Sequence, residues 1–296
     1  MRTALPAEEI KLQYETPGFV HVPGVMPPEF LERLRRAFDE AAERYLGEWQ
    51  QAVAEKQADP RFFDIPDILD QDDVFVDLVD LPALFPLLVE LVGADIQLNH
   101  THARCFYPGK TFVQPWHSDI SEILGVDLAH SPAFIVKVHY YIEDLAPNQG
   151  CLAFIPGSHR YPPGVGGPKI EDPHRSPAVV KIVPRAGDAI IFNTHVLHMC
   201  QDNDSDRVRK SIIYAYSHYW VKHYANAVPA NLEKYLTAPH RLQLFGVDIA
   251  GIPYINRRLD RPAEVPWYST LGQASKRVLR RTLLRSSKAP YRRWRA

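Results

Sequence analysis

Two hydrophobic patterns divide the chain near residue 95. Before that point, apolar residues recur at helical spacing after a Pro-Pro pair, which predicts an amphipathic helix over 28–46. Its apolar positions are Phe30, Leu31, Leu34, Phe38, Ala41 and Ala42. A shorter apolar run predicts a second helix over 84–92. We therefore expect residues 1–95 to form a helical part of the molecule.

From about residue 96 the chain changes to short β-rich runs separated by turn residues. An extended stretch, GADIQLNHTHARCFYPG, comes first, and it is followed by FIVKVHYYIE, CLAFIPGSH, AVVKIVPRAGDAIIFNTHVLH and KSIIYAYSHYWV. No helix-length segment separates consecutive runs in this set, which favours antiparallel sheets over βαβ units. The pattern predicts a mainly β fold with flanking helices, a double-sheet jelly roll whose core covers about 96–222.

Composition narrows the class of protein. A chain of 296 residues, 46% of them hydrophobic, can bury one large core, so we predict a single domain that ends in a C-terminal extension over about 223–296. The formal net charge of −1 gives no general attraction to nucleic acid. Three widely spaced cysteines fit a reducing cytoplasm, and no segment approaches the roughly 18 apolar residues of a membrane span. The sequence indicates no oligomeric state.

Two segments stand apart from this plan. The tail over 276–296 contains nine Lys or Arg and no acidic residue. We expect this tail to be solvated, although a phosphate-rich ligand, a membrane surface or a partner would also suit its charge.

Between 158 and 178, Pro and Gly interrupt regular strand pairing. Long loops in compact domains are often functional, and we expect this one to act as a lid.

The stretch QPWHSDISE supplies the first chemical signal. It places His117 and Asp119 two residues apart, so in an extended chain both side chains point to one face. This pair alone is weak, because a histidine in a soluble protein is more often structural than a ligand. His198, at the end of GDAIIFNTHVLH, is the best candidate for a third ligand. Two histidines and one carboxylate with open positions are the ligand set of non-haem iron(II) oxygenases.

The spacing after His198 adds a second signal. Ten residues separate it from Arg209, which shares one strand face with Ser211 and could hold a carboxylate by charge-assisted hydrogen bonds. His195 competes with His198, but alternation along one continuous strand would put it on the opposite face. Arg207 competes with Arg209, because residues two apart on a strand share one face. We expect Arg207 to be a solvated charge in the turn.

The chain resembles the phytanoyl-CoA dioxygenase-like family of non-haem iron(II), 2-oxoglutarate-dependent oxygenases. The resemblance covers nearly the whole chain, and besides the motifs above it rests on the stretches GFVHVPGVMPPEFLERLR, PWHSD and NQGCLAFIPGSH. The resemblance implies a double-stranded β-helix of the cupin-like jelly-roll type. It implies iron(II) held by His117, Asp119 and His198, with 2-oxoglutarate and O2 as co-substrates and Arg209 at the distal carboxylate of 2-oxoglutarate. The chain departs from the family at Cys200, where members often have a small hydroxyl residue.

Further candidates lie on neighbouring strands. The resemblance implies polar co-substrate contacts on the strand before the metal motif, where this chain has Asn99 and Thr101. His139 lies on an unusually polar strand face that we expect to line the cavity, and we predict it to be nearest to the co-substrate, with Ser211 as a further contact. The substrate-side candidates are Lys137, Tyr141 and Trp116.

The reaction implied by the resemblance is hydroxylation of a small organic molecule, with release of succinate and CO2. Asp119 occupies the position that halogenases of similar build leave to chloride, which favours hydroxylation or a related oxidation. We favour a specialised natural-product intermediate as the substrate, with an acyl-CoA or lipid-like molecule as the alternative. A non-catalytic cupin-like metal- or ligand-binding protein would not need Arg209. A zinc hydrolase would need a Glu base that is not obvious beside the motif.

Overall fold

The computed structural model describes residues 7–110, 116–119, 134–161, 177–222 and 226–246. The chain divides into two compact units, Met1–Ala230 and Asn231–Ala296. The described part of the second unit contains a 3-10 turn, Leu232–Tyr235, and a short helix, Pro239–Leu244. The predicted basic tail and most of the predicted lid lie outside the described residues.

The first unit begins with helices, which are α1 (Ala7–Glu15), α2 (Pro28–Ala54), α3 (Asp73–Asp77) and α4 (Phe85–Val92). The α2 helix begins at the Pro-Pro pair as predicted but extends beyond Leu46 to Ala54, because the half-buried Trp49, Ala52 and Val53 continue the helical spacing of apolar residues. The α4 helix confirms its prediction. Within the described residues, no helix has both the length and the apolar character needed to cross a bilayer.

The strands of the described chain form two antiparallel sheets. They are β1 (Phe19–Val22), β2 (Phe62–Asp64), β3 (Ile96–Phe106), β4 (Ile135–Tyr140), β5 (Leu152–Phe154), β6 (Val180–Lys181), β7 (Ala189–Asn193), β8 (His198–Cys200) and β9 (Arg209–His218). The larger sheet has the order β1-β7-β4-β9-β3-β2 and the smaller sheet has the order β6-β5-β8. This arrangement confirms the predicted mainly β, two-sheet architecture with flanking helices.

Alternation gives the larger sheet two different faces. Tyr214 and Tyr216 of β9 point to the helical side, where their hydroxyls donate to the carbonyls of Phe75 at 2.7 Å and Val79 at 2.8 Å. The opposite, inner face meets the smaller sheet. There the ring of Phe192 lies 4.7 Å from the ring of His198 in β8, measured between centroids.

A β-bulge interrupts β3 and sets which of its side chains reach the inner face. Asn99 is an extra residue between the pairs made by Leu98 and His100 with β9. Directly opposed residues on antiparallel strands point to the same face. After the bulge, His100 and His102 therefore point to the inner face, whereas Thr101 points to the helical side.

Asp188 fastens the β1 edge of the larger sheet. Its carboxylate accepts hydrogen bonds from the backbone N–H groups of Gly24 at 2.9 Å and Arg185 at 2.8 Å, and it lies 2.7 Å from Nε2 of His21. Burial alone would raise the pKa of Asp188, but the contact with His21 and the backbone hydrogen bonds outweigh burial and lower it. This carboxylate thus ties β1 to the turn that precedes β7.

Candidate metal centre

Three side chains with nitrogen or oxygen donors meet at the smaller sheet. His117, Asp119 and His198 each offer one ligand atom, and these atoms lie within 4.8 Å of one another. His198 begins β8, and His117 is held beside it by an antiparallel bridge with N–H to carbonyl distances of 3.2 and 3.1 Å. Asp119 follows two residues later. The structure therefore brings together the three ligands predicted from the sequence.

The donor atoms of this cluster fit a divalent metal ion. His198 Nδ1 lies 2.9 Å from the carbonyl of Val196, which leaves Nε2 as the ligand atom. Burial lowers the pKa of His198 to about 4, so the ring is neutral at pH 7. Asp119 Oδ2 is buried and has no hydrogen-bond partner among the described residues. Two imidazoles and a carboxylate oxygen left without a donor match the ligand set of non-haem iron(II) enzymes.

Lys137 of β4 makes an ion pair with the carboxylate of this cluster. Its Nζ lies 2.9 Å from Asp119 Oδ1. Burial alone would raise the pKa of Asp119, but Lys137, together with His198 and His117, outweighs burial and holds the pKa well below its usual range. The carboxylate is therefore ionised at neutral pH. Lys137 is predicted for the substrate side, and the structure places its ammonium against a metal-ligand candidate.

Arg209 is a buried cation at the start of β9 and is not part of the metal-ligand cluster. It is 4% exposed. Its Nη1 donates to the carbonyl of Gly150 at 2.7 Å and contacts Cys200 Sγ at 2.7 Å, and its Nη2 lies 3.4 Å from the hydroxyl of Tyr141. Its Nε has no partner among the described residues, and none of the ion pairs formed within them includes Arg209. Because a buried, uncompensated cation is costly, this position suits the carboxylate of a ligand.

The structure separates the alternatives that the sequence left open. Arg207 is exposed in the turn before β9, where its backbone N–H donates to Ser205 Oγ. His195 lies in the turn between β7 and β8 and is not in the ligand cluster. The alternation argument against His195 assumed one continuous strand, and this premise is wrong, because β7 ends at Asn193 and a new strand begins at His198.

His139, Tyr141 and Ser211 lie where the sequence predicts a polar inner face. Burial lowers the pKa of His139 well below its usual value, and Arg209 and Lys137 add to this effect, so the ring is neutral. Ser211 is buried and shares the strand face of Arg209. The co-substrate contacts of these residues stay predictions.

The other predicted residues have different surroundings. Asn99 Nδ2 donates to Ser217 Oγ at 3.2 Å and to the carbonyl of Lys222 at 3.1 Å. The hydroxyl of Thr101 donates to the carbonyl of Asn226. Because the bulge turns Thr101 away from the inner face, the structure does not support its predicted co-substrate contact. Trp116 is half-buried directly before the first metal-ligand candidate, and its substrate contact stays a prediction.

Two histidines of the inner face are not among the predicted site residues. His100 and His102 follow the bulge, with ring centroids 5.4 Å apart, and His102 Nδ1 lies 3.8 Å from Asp64 Oδ2. Burial lowers the pKa of His100 to about 3 and that of His102 to about 4. The charge of Lys137 lowers both pKa values further, and the charge of Asp119 raises them. The two-residue spacing of these histidines on one strand is the sequence signal that could have identified them.

Comparison with known proteins identifies the family of this chain. The phytanoyl-CoA dioxygenase (PhyH) family model matches residues 14–211. Ectoine dioxygenase of Nocardia farcinica is 23% identical over 228 residues, covering 69% of this chain and 75% of that protein. Human peroxisomal phytanoyl-CoA dioxygenase is 23% identical over 228 residues, covering 67% of this chain and 64% of that protein.

A solved structure supports the fold assignment. HygX from Streptomyces hygroscopicus, with nickel and 2-oxoglutarate bound, has a TM-score of 0.54 and 19% identity to this chain. The similarity covers 75% of this chain and 90% of HygX. Together with the two antiparallel sheets, this likeness confirms the predicted jelly-roll fold.

Proposed function

The chain belongs to the phytanoyl-CoA dioxygenase (PhyH) family, and on this premise we propose that it hydroxylates a small organic molecule at a metal centre formed by His117, Asp119 and His198. It is an iron(II)- and 2-oxoglutarate-dependent oxygenase that uses O2. When bound, iron and 2-oxoglutarate supply the oxidising chemistry, with succinate and CO2 as the co-products. The convergence of the three ligand atoms within 4.8 Å is the observation that carries the proposal.

Arg209 is proposed to bind the distal carboxylate of 2-oxoglutarate. The guanidinium is buried and has no described counter-ion, so a ligand carboxylate would supply the charge that the chain does not. A non-catalytic metal-binding protein or a zinc hydrolase would have no use for this cation. A guanidinium outside the metal-ligand cluster suits a co-substrate that binds the metal at one end and a cation at the other.

Tyr141 is proposed to supply the hydroxyl that this chain does not have at Cys200. Burial raises the pKa of the Cys200 thiol, so the sulfur is not an anionic partner for Arg209. The Tyr141 hydroxyl lies 3.4 Å from Arg209 Nη2, whereas the carbonyl of Gly150 accepts from Nη1. Burial also raises the pKa of Tyr141, which keeps this hydroxyl protonated and able to donate to a carboxylate.

The lining of the inner face supports a small polar substrate over a long acyl chain. Lys137 pairs with Asp119 on this face, and His100 and His102 lie on the same face of the sheet, so all three offer polar groups for hydrogen bonds. An acyl chain gains affinity from apolar lining, which these side chains do not provide. The relatives named for ectoine and for phytanoyl-CoA are equally identical to the chain, so similarity alone does not choose between these classes.

A setting in specialised natural-product metabolism is part of the same proposal, with an acyl-CoA or lipid-like substrate as the alternative. We also propose a single oxygenase domain over 1–296 and a cytoplasmic location. The location is supported by Cys105, Cys151 and Cys200, which are buried and form no disulfide.

Anaerobic titration with iron(II) and 2-oxoglutarate tests this function. The wild-type protein should develop the weak visible charge-transfer band of a 2-oxo acid chelated to iron(II). Asp119→Ala should develop no such band, and Arg209→Ala should require more 2-oxoglutarate to reach the same intensity. A wild-type protein that binds iron without this band in the presence of 2-oxoglutarate would favour the non-catalytic alternative. Succinate release with polar metabolites and with acyl-CoAs would then separate the substrate classes.

A further inference from the structure

We propose that Lys137 is a positioning residue that holds Asp119 as a one-oxygen metal ligand and so keeps a coordination position open for O2. This inference rests on the proposed function of the same site. It gives Lys137 a role beside the metal, which differs from the substrate contact predicted from the sequence.

The position of Lys137 in the sheet needs a physical explanation. It lies on β4, between β7 and β9, and pairs with Phe192 and Ala215. Its side chain is only 17% exposed. A lysine at the centre of a sheet loses hydration and is tolerated when its charge is paired. The partner that the structure describes is Asp119, and this ion pair therefore explains why the strand can carry a lysine there.

The ion pair makes the two oxygens of Asp119 different. Oδ1 accepts a charge-assisted hydrogen bond from Lys137 Nζ at 2.9 Å. Oδ2 is buried, has no hydrogen-bond partner among the described residues and lies 3.6 Å from His198 Nε2. His117 Nε2 lies 3.9 Å from Oδ1, so both histidines are close to the carboxylate. Because the ammonium engages Oδ1, Oδ2 is the oxygen left to bind a metal.

The number of oxygens that bind matters for the reaction. An octahedral site offers about six positions, of which the histidines and Oδ2 would take three and a chelating 2-oxo acid two. One position would remain for O2. If Asp119 bound through both oxygens, that position would be filled. The hydrogen bond from Lys137 would therefore control access of O2 as well as the orientation of the ligand.

Water-proton relaxation with Mn(II) in place of iron tests this role without turnover. The wild-type protein with Mn(II) and 2-oxoglutarate should keep one rapidly exchanging water on the metal. Lys137→Met should lose most of the relaxation enhancement from that water, and it should bind Mn(II) roughly ten- to a hundredfold more weakly. Lys137→Arg, which restores a cationic donor, should recover much of both.

Lys210→Met is the matched control. Lys210 is a half-buried lysine on β9 whose ammonium lies 2.8 Å from Asp39 and 3.0 Å from Glu143, outside the metal-ligand cluster. Its loss should lower stability without changing relaxation or Mn(II) affinity. If Lys137→Met fails to give a cooperative thermal transition, Lys137→Gln replaces it, since an amide keeps a hydrogen-bond donor without the charge, and should show an intermediate loss.

The outcomes separate this inference from the proposed function. A wild-type protein that binds neither Mn(II) nor 2-oxoglutarate would overturn the proposed function and this inference with it. Wild-type binding together with unchanged relaxation and Mn(II) affinity in Lys137→Met would overturn this inference alone. Lys137 would then be only a structural counter-ion or a substrate contact.

Discussion

The two faces of the larger sheet have opposite chemistry, although the same strands build both. On β4, Val136, Val138 and Tyr140 are fully buried on the helical side, whereas Lys137 and His139 alternate with them and point to the inner face. The helical side is held by apolar packing. The inner face instead concentrates ionisable groups, which cost free energy to bury unless something pairs with them.

The faces also differ in the kind of buried polar atom that has no hydrogen-bond partner among the described residues. On the helical side, the hydroxyls of Tyr214 and Tyr216 donate to backbone carbonyls. At the inner face, Asp119 Oδ2, His139 Nδ1 and Arg209 Nε have no hydrogen-bond partner among the described residues. Buried polar atoms in native proteins nearly always have partners. On the helical side the Tyr140 hydroxyl also has no such partner, so the faces differ in the kind of group: the unpartnered atoms of the inner face belong to ionisable side chains, which a metal ion and a ligand carboxylate would complete.

The largest effect should follow from removal of a metal ligand. Asp119→Ala deletes the only carboxylate of the cluster, so we expect iron(II) binding and succinate formation to fall below detection while the thermal transition remains cooperative. Iron titration and a succinate assay measure this. His198→Ala should behave in the same way, and His195→Ala should keep iron. Loss of iron in His195→Ala with retention in His198→Ala would show that the third ligand is misassigned.

The next effect should come from the cation of the inner face. Arg209→Ala removes a charged hydrogen bond to the co-substrate, typically about 1.5–3 kcal/mol, which corresponds to roughly ten- to a hundredfold weaker 2-oxoglutarate binding. Iron(II) affinity in the absence of 2-oxoglutarate should stay close to wild type. Arg207→Ala is the control, since Arg207 is exposed in the preceding turn. Weaker 2-oxoglutarate binding in Arg207→Ala alone would move the role to that residue.

The inner face was the more predictable of the two, because its chemistry restricts residue types. The spacing of His117 from Asp119, and of His198 from Arg209, is local in sequence and meets the needs of a metal site and a carboxylate anchor. The alternation of Lys137 and His139 also matched the strand. A short motif of this kind can be identified without the fold, whereas the partner of Lys137 depends on two distant segments that only folding brings together.

Local irregularities explain what the sequence did not predict. The bulge at Asn99 reverses which alternate residues of β3 point to each face of the sheet. Thr101 therefore faces the helices, whereas His100 and His102 face the inner side. A single extra residue leaves no clear mark on the hydrophobic pattern. The α3 helix has only five residues, too few for a helical period to stand out, and it begins at an Asp72 cap whose side chain accepts from the Val74 N–H at 2.8 Å.

A smaller effect, on stability alone, is expected from a substitution of Asp188, which lies at the β1 edge of the larger sheet. Asp188→Asn removes the charge that strengthens the bonds to Gly24, Arg185 and His21, so unfolding free energy at pH 7 should fall by about 1–2 kcal/mol. The folded-state pKa of Asp188 is lowered, so its contribution is full above the unfolded value of about 3.9 and is lost as pH falls through the folded value. The difference between variant and wild type should therefore shrink below about pH 4. A difference in denaturant midpoint that is independent of pH would contradict this account.

The smallest effect should come from the helical side of the sheet. Tyr214→Phe removes one hydroxyl and leaves the carbonyl of Phe75 without that donor, which should lower the free energy of unfolding by about 1 kcal/mol. Because Tyr214 points away from the ligand cluster, 2-oxoglutarate affinity and succinate formation should match wild type. Denaturant unfolding and a 2-oxoglutarate titration on the same preparation measure both quantities. Reduced co-substrate affinity at unchanged stability would show that the two faces are coupled, and that completion of the inner face by ligands also depends on the packing behind it.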